Sequence, residues 1–210
     1  MILLENVSFR YLNTEKDVIS GLSCGFDPGV CTAVTGRNGC GKTTLVRLLT
    51  GILRPDSGSI SIDGQNISAL GLFGIGKLVG CVFQDPSRQL FCTTVSGEIR
   101  FGLVNMGLPE DEINRRTDHY LRFFRLGHLA QSFPGTLSQG EKQRVVLAAV
   151  LAMGTRYVLL DEPTSGLDMR AREELGELLS ELRANGHGVI FVSHERGFIE
   201  KYADRELVLQ

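Results

Sequence analysis

The 210-residue sequence lacks any long apolar run, since the longest, Val145–Met153, has only nine residues. A helix that crosses a bilayer needs about 20 apolar residues, so no membrane-spanning helix is predicted. The first residues, Met1–Glu5, also lack the basic and apolar regions of a signal peptide. We therefore expect a soluble cytoplasmic protein that reaches a membrane only through another chain.

A strong charge of either sign is missing as well. The sequence has 22 Lys and Arg against 24 Asp and Glu, which gives a formal net charge of −2. The basic stripe that marks a nucleic-acid-binding surface is therefore absent, and no nucleic-acid partner is expected. The five cysteines form no C-x-x-C pair and have no histidine at ligand spacing, so a thiolate metal site is not expected.

A glycine-rich loop is the most informative segment that is present. It lies between an apolar run, Val30–Thr35, and a helix-like run, Leu45–Thr50, which is the strand–loop–helix setting of a phosphate-binding loop. Glycines let successive N–H groups point at one anion, and the helix N-terminus adds its positive dipole end. Lys42 is placed to reach the β- and γ-phosphates, and Thr43 to offer its hydroxyl to Mg²⁺. The residues expected to hold the nucleotide are Gly36, Arg37, Asn38, Gly39, Cys40, Gly41, Lys42, Thr43 and Thr44.

Strands alternate with helices beyond this loop, which predicts a mainly parallel core sheet. The first strands, Ile2–Tyr11 and Leu22–Phe26, have no helix between them, so we expect an antiparallel β edge layer. Predicted helices at Thr94–Leu103 and Glu110–Leu126 indicate a helical subdomain, about residues 86–140, inserted in a single 1–210 domain. The fold class is α/β with a P-loop NTPase core. The remaining predicted strands are Ser59–Ile62, Leu78–Phe83, Tyr157–Leu160, Gly188–Ser193 and Arg205–Leu209, and the remaining helices are Ser138–Met153, Met169–Asn185 and Phe198–Ala203.

Polar residues at strand ends complete a hydrolytic site. Asp161 ends an apolar strand and is expected to orient the Mg²⁺ shell, while Glu162 is the best candidate to polarise the attacking water. Gln84 follows another strand and can contact both Mg²⁺ and that water. His194 ends a later strand, at the edge where ligands bind in such sheets, and is expected to hydrogen-bond the γ-phosphate. The catalytic set is thus Glu162, His194, Gln84 and Lys42, and the Mg²⁺ set is Thr43, Gln84 and Asp161.

Two further features have a structural and a functional interpretation. Tyr11 either packs at its strand end or offers adenine a ring for stacking. Ser138 and Glu141 form an S-x-x-E capping box, which by itself only starts a helix well.

Taken in chain order, the motifs resemble those of ABC-type ATPases over essentially the whole chain. The matching segments are an aromatic stacker at Tyr11, Walker A at Gly36–Thr44, the Q-loop at Gln84, a signature at Leu137–Glu141, Walker B at Val158–Asp161 with Glu162, the D-loop at Ser165–Asp168 and the switch residue His194. The resemblance implies ATP and Mg²⁺ as cofactors and a second ABC ATPase subunit, in a homo- or heterodimer. In the family, the signature contacts the ATP bound by the other subunit, here through Ser138, Gln139, Gly140 and Glu141. The sequence departs from the commonest family pattern at Gln139, Glu141 and Cys40.

The segment Val82–Phe91 resembles the Q-loop of energy-coupling-factor and cobalt-type import ATPases, and Thr94–Gly102 matches the segment that follows it there. This resemblance implies coupling of ATP hydrolysis to uptake of a vitamin or a transition-metal ion. An integral membrane transport subunit would dock on Gln84–Phe101 and hold the chain at the inner face of the membrane. The alternatives are the ATPase of an exporter or lipoprotein-release system, and a soluble ABC protein acting on DNA or ribosomes, a class that normally has tandem cassettes or inserted arms.

Overall fold

The computed structural model describes residues 1–12, 14 and 16–210, which form two β-sheets and a set of helices. Within these ranges, the strands are β1 (Ile2–Phe9), β2 (Ile19–Phe26), β3 (Cys31–Gly36), β4 (Ser57–Ile62), β5 (Gln65–Asn66), β6 (Val79–Val82), β7 (Tyr157–Asp161), β8 (Gly188–Val192) and β9 (Arg205–Leu209). The helices are α1 (Lys42–Leu49), α2 (Ile67–Leu78), α3 (Val95–Asn105), α4 (Glu110–Phe123), α5 (Gln139–Ala152), α6 (Met169–Ala184) and α7 (Arg196–Tyr202). None of the helices in the described ranges is both long and apolar enough to cross a bilayer.

The core sheet has five strands in the order β6-β7-β8-β3-β9, and every neighbouring pair is parallel. Strand β7 is fully buried, as expected for a parallel strand covered on both faces. Its residue Leu160 lies opposite Val82 on one side and Phe191 on the other, so β6, β7 and β8 end at the same edge. The predicted parallel core is confirmed, and its carboxyl edge carries the site described below.

The second sheet is antiparallel, with four strands in the order β2-β1-β4-β5. Strand β1 has a bulge at Asn6, whose φ is 50°, and the bulge brings Leu4 and Val7 to the same buried face. These residues belong to one apolar cluster with Leu45 of α1 and Tyr157 of β7. The antiparallel layer is therefore confirmed, and it packs with α1 over one face of the core sheet.

The segment between β6 and β7 is mostly helical, and α3, α4 and α5 contact one another. Ile99 and Leu103 of α3 and Val145 of α5 are completely buried in the other apolar cluster of the protein. Helix α5 also borders β6 and so links this helical part to the sheet. The description of residues 86–140 as an inserted subdomain stays a prediction.

Helix α2 was not predicted. Three glycines within it, at positions 71, 74 and 76, weaken the helical pattern, and Gly71 adopts a φ of 65° and a ψ of 168° that interrupt the helix. Leu78 belongs to this helix rather than to the following strand, which begins at Val79. Helix α1 starts at Lys42, so the lysine lies in its first turn.

Candidate active site

The glycine-rich loop joins β3 to α1, and at two of its glycines the backbone lies close to neighbouring atoms. Gly36 has a φ of 142°, and a Cβ at this position would lie 2.4 Å from the carbonyl oxygen of Leu209. Gly41 caps α1 in the left-handed region with a φ of 99°, and a Cβ there would lie 2.8 Å from Ile19. Because no side chain among the described residues caps α1, its first N–H groups are available to an anion.

Lys42 is held across the loop, with only 7% of its surface exposed. Its Nζ donates to the carbonyl oxygens of Gly36, at 2.9 Å, and Arg37, at 3.1 Å. An ammonium group has three donors, so the contacts within the described ranges leave one N–H of Lys42 for a phosphate oxygen. The lysine is thus fixed in the centre of the loop.

Asp161 ends β7 and is 4% exposed, and its Oδ1 is a buried oxygen with no hydrogen-bond partner among the described residues. Burial raises the pKa of Asp161, while Thr43 and the charges of Arg47 and Lys42 oppose this rise. A buried carboxylate oxygen without a partner is costly, and oxygen ligands are those that Mg²⁺ prefers. The side chains of Asp161 and Thr43 therefore fit a Mg²⁺ ion.

Glu162 directly follows β7 in a strained backbone conformation, with a φ of 51°. Its N–H donates to the carbonyl oxygen of Val192 at 3.1 Å, which fixes the turn against β8. Its Oε1 lies 2.8 Å from Nε2 of His194. Burial raises the pKa of Glu162, and His194 and Lys42 lower it while Asp161 and Glu195 raise it further. His194 therefore contacts the carboxylate in this structure, whereas the sequence led us to expect a contact with phosphate.

The other two expected nucleotide contacts lie beside the loop and the sheet edge. Gln84 follows β6 at the same edge as Asp161 and is exposed, but within the described part of the chain no hydrogen bond joins it to Asp161 or Glu162. The Tyr11 ring packs edge-on against Phe9, with ring centroids 4.9 Å apart, and its hydroxyl lies 3.2 Å from Oγ1 of Thr44. The packing interpretation of Tyr11 is thus confirmed, and adenine stacking stays a prediction.

The predicted capping box at the start of α5 is present. The Glu141 carboxylate accepts from the N–H of Ser138 at 2.8 Å and from its hydroxyl at 2.6 Å, and Ser138 Oγ accepts from the Glu141 N–H at 3.4 Å. Asp168 caps α6 in a similar way, accepting from the N–H of Ala171 at 2.8 Å. A groove of about 700 Å³, which the sequence did not reveal, lies between these two helix starts. Its lining includes Ser138, Gln139, Gly140, Asp168 and Ala171.

Two glutamines position the site and were missed from the sequence. Nε2 of the buried Gln143 donates to the carbonyl oxygen of Pro163 at 2.7 Å, which ties α5 to the turn after Glu162. Gln89 accepts from the N–H of Phe83 at 2.8 Å and donates to the carbonyl oxygen of Cys81 at 2.9 Å, which closes the loop that carries Gln84. A polar residue on the buried face of α5 was the signal for Gln143. Gln89 lies within the Q-loop resemblance of Val82–Phe91, but that resemblance did not indicate which groups its side chain bonds.

Comparison with known proteins identifies the family. The family model described as ABC transporter matches residues 19–165. A putative ABC transporter ATP-binding protein of Pyrococcus furiosus is 39% identical over 209 residues, which cover 100% of this chain and 80% of that protein. The cobalt import ATP-binding protein CbiO of Salmonella typhimurium is 38% identical over 212 residues, which cover 100% of this chain and 78% of that protein.

Solved structures agree with this assignment. The structure of cbiO1 from Clostridium perfringens, described as part of the ABC transporter complex cbiONQ, superposes with a TM-score of 0.90 at 36% identity and covers 100% of this chain and 84% of that one. An ATP-binding subunit of an ABC transporter superposes with a TM-score of 0.88 at 29% identity, covering 100% of this chain and 85% of that one. With its phosphate-binding loop and parallel core, the chain therefore belongs to the ABC transporter family as an ATP-binding, ATP-hydrolysing subunit.

Proposed function

We propose that the chain powers the uptake of a transition-metal ion or a vitamin, by hydrolysing ATP between itself and a second ABC ATPase subunit. The observation that supports this most directly is the convergence of Lys42, Asp161, Glu162 and His194 at the carboxyl edge of the core sheet. The cargo class is suggested by the cobalt import relative, which is 38% identical over the whole chain, and by the Q-loop sequence Val82–Phe91.

ATP binds through the loop amides and Lys42, and Thr43 and Asp161 would hold Mg²⁺. Oδ1 of Asp161, which has no hydrogen-bond partner in the part of the chain that the structure describes, supports this choice, because a cation would satisfy it. When bound, Mg²⁺ neutralises the charge that develops on the phosphate oxygens.

Glu162 polarises the attacking water and accepts its proton. The raised pKa of this half-buried carboxyl makes it a better base than an exposed glutamate. His194 holds the carboxylate through the 2.8 Å contact, and it moves to the γ-phosphate once ATP is bound. Gln84, at the same edge of the sheet as Asp161, would contact the hydration shell of a bound Mg²⁺.

A second subunit completes the site, because the phosphate-binding loop covers only one side of the γ-phosphate. The exposed start of α5, with Ser138, Gln139 and Gly140, is a suitable second anion site for the ATP of the opposite subunit. Asp168 in the D-loop lines the same groove as these three residues. Two subunits arranged head to tail would enclose two ATP molecules and exclude water, and they would open after hydrolysis.

An integral membrane subunit docks on the aromatic patch of the Q-loop region, which we define as Phe91, Phe101 and Phe133. These side chains are 65%, 46% and 58% exposed, and the rings of Phe91 and Phe101 pack with centroids 4.6 Å apart. The buried Glu98 accepts from the N–H groups of Phe91 and Cys92, both at 2.6 Å, which holds the patch rigid. Exposed aromatic patches of this kind mark interaction sites, and we assign this one to a helix of the membrane subunit.

The experiment is purification of the tagged chain from its own host, followed by reconstitution of the retained membrane protein in vesicles that enclose ATP. We expect ATP-dependent uptake of labelled Co²⁺ or of a labelled vitamin, and its loss in Phe91→Ser. Phe73→Ser is the matched control, since Phe73 is 59% exposed on α2 and lies outside the patch. Net efflux would indicate an exporter, and retained nucleic acid without a membrane protein would indicate the soluble class. Either result would overturn the proposal.

A further inference from the structure

Arg172 of α6 joins two functional segments that are far apart in the sequence. Its Nε donates to the carbonyl oxygen of Leu167 in the D-loop at 2.9 Å. Its Nη1 donates to Oε2 of Glu195, the residue after His194, also at 2.9 Å. The fixed geometry of a guanidinium lets one side chain hold two acceptors at a set separation. Arg172 therefore sets the distance between the D-loop and the segment that carries His194.

A second contact, deeper in the protein, joins the residue before the D-loop to the residue before His194. Oγ1 of Thr164 lies 3.4 Å from Oγ of Ser193, and these residues are 1% and 0% exposed. Ser193 Oγ also accepts from the N–H of Glu195 at 3.2 Å. The two hydroxyl groups thus hold the segments together inside the protein, and the charged pair of Arg172 and Glu195 holds them together nearer the surface.

His194 lies between these two anchors, and its own side chain is 48% exposed. Packing around the imidazole therefore does not fix its position. The position depends on how the backbone on either side of His194 is held. Ser193 is the anchor before His194, and Glu195, which occupies the N-cap position of α7, is the anchor after it. A displacement of Glu195 would move His194 away from the Glu162 carboxylate.

We propose that Arg172 is a positioning residue, which transmits the docking of a second subunit on the D-loop to the His194–Glu162 pair. This inference rests on the proposed function, because it requires a partner that contacts the D-loop. Asp168 lies next to Leu167 and lines the groove beside the signature, so a partner seated there presses on the segment that Arg172 holds. The charged hydrogen bond then carries the displacement to Glu195.

The test compares Arg172→Met with Arg183→Met in ATP hydrolysis by the assembled transporter. Arg183 is a matched control, because it lies on the same helix and pairs with Asp204 at 2.6 Å, with side-chain exposures of 40% and 37% against 39% and 34% for Arg172 and Glu195. We expect Arg172→Met to lower kcat about tenfold, the usual effect of losing a charged hydrogen bond, with KM for ATP changed less than twofold. Arg183→Met should leave both constants within about twofold, and the two variants should melt at similar temperatures.

A double-mutant cycle separates positioning from general destabilisation. If Arg172 acts through Glu195, the double variant Arg172→Met/Glu195→Gln will be no slower than the slower single variant. Additive losses, an unchanged kcat in Arg172→Met, or equal losses in Arg183→Met would overturn the inference. Should Arg172→Met fail to fold, Glu195→Gln alone tests the same link, with the same loss of kcat expected and an unchanged kcat contradicting it. A wild-type complex without ATPase activity would instead contradict the proposed function itself.

Discussion

Nε2 of His194 lies 2.8 Å from Oε1 of Glu162, so the switch histidine and the proposed general base are in direct contact. The contact crosses from the end of β8 to the end of β7, whose residues Val192 and Asp161 lie opposite each other. It joins a half-exposed imidazole to a mostly buried carboxylate, with exposures of 48% and 18%. The sheet edge thus holds the base in place and leaves the histidine able to move.

The first prediction concerns the contact of His194 with Glu162. His194→Ala should lower the rate of ATP hydrolysis about 100-fold, in the range of lost acid–base assistance, because Glu162 loses its partner and the γ-phosphate a hydrogen bond. Affinity for ATP should change less than about twofold, since the loop amides and Lys42 remain. Steady-state hydrolysis and calorimetry measure the two effects. His119→Ala on the exposed face of α4 is the control, and an equal loss of activity there would contradict the assignment.

The second prediction concerns the part of Lys42 in ATP binding. Lys42→Met should weaken Mg-ATP binding by about 10- to 100-fold, the equivalent of one or two charged hydrogen bonds. The fold should survive, because the partners of Nζ are loop carbonyls rather than core groups. Isothermal calorimetry checks the affinity, with Lys77→Met on α2 as the control. Equal affinities for Lys42→Met and wild type would show that the nucleotide binds elsewhere.

The cysteines make a third prediction, about chemical labelling. Burial raises the pKa of Cys24 to about 11 and those of Cys31 and Cys81 to about 12, so these thiols react poorly at neutral pH. The Cys40 thiol lies within the nucleotide loop, where a Cβ on Gly36 would be 2.6 Å from its sulfur. N-ethylmaleimide at pH 7.5 should therefore modify Cys40 first and reduce ATP binding, and bound ATP should protect it.

Mass spectrometry of the labelled protein identifies the modified residue. The variant Cys40→Ser should bind ATP normally and resist the reagent, because this position offers mainly its backbone N–H. An unmodified Cys40 in nucleotide-free protein would refute this prediction.

Asp63 makes a fourth prediction, about stability and pH. Its carboxylate accepts from the Met1 amino group at 2.6 Å, the Tyr157 hydroxyl at 3.0 Å and Arg156 at 3.1 Å. Burial opposes its ionisation, but these partners outweigh burial and hold the pKa of Asp63 below its usual value. The stabilisation is thus fully present above the unfolded pKa, about 3.9, and is lost as the pH falls through the folded pKa.

Asp63→Asn is a suitable variant, since asparagine also tolerates the φ of 51° at this position. It should lower the free energy of unfolding by about 1 kcal/mol at pH 7, and the difference from wild type should shrink below about pH 4. Urea unfolding across pH 2.5 to 7 measures this, with the exposed Asp118→Asn as a control. A difference that is independent of pH would contradict the charged role.

Much of the site was predictable because it depends on strand order and local caps. Alternation of strands and helices predicted the parallel sheet, and its carboxyl edge then brought Lys42, Asp161, Glu162 and His194 together. The capping box of Ser138 and Glu141 is a local interaction over three residues, so sequence spacing was sufficient to predict it. These features need no knowledge of long-range packing.

Other features depend on packing that spacing does not encode. Helix α2 was not predicted because its glycines weaken the helical pattern. Its contacts with β4, β5 and β6 stabilise it in the folded protein. The contact of His194 with Glu162 depends on the register of two strands, and the bridge from Arg172 to Glu195 depends on how α6 crosses α7. Gln143 was missed for the same reason, since its partner is the carbonyl oxygen of Pro163, 20 residues further along the chain. The partners of Gln89 are the nearby backbone groups of Phe83 and Cys81, but no local spacing rule predicts these side-chain hydrogen bonds.

The central claim is that two subunits enclose ATP and that Glu162 then drives its hydrolysis. The variant Glu162→Gln keeps the shape of the side chain but cannot accept the proton of water, so closed complexes should accumulate. Light scattering after gel filtration in Mg-ATP, at concentrations that calorimetry shows to be saturating, tests this claim most directly. The account predicts a stable species of twice the chain mass with ATP and a monomer without it. A variant that binds ATP to saturation and stays monomeric would contradict it.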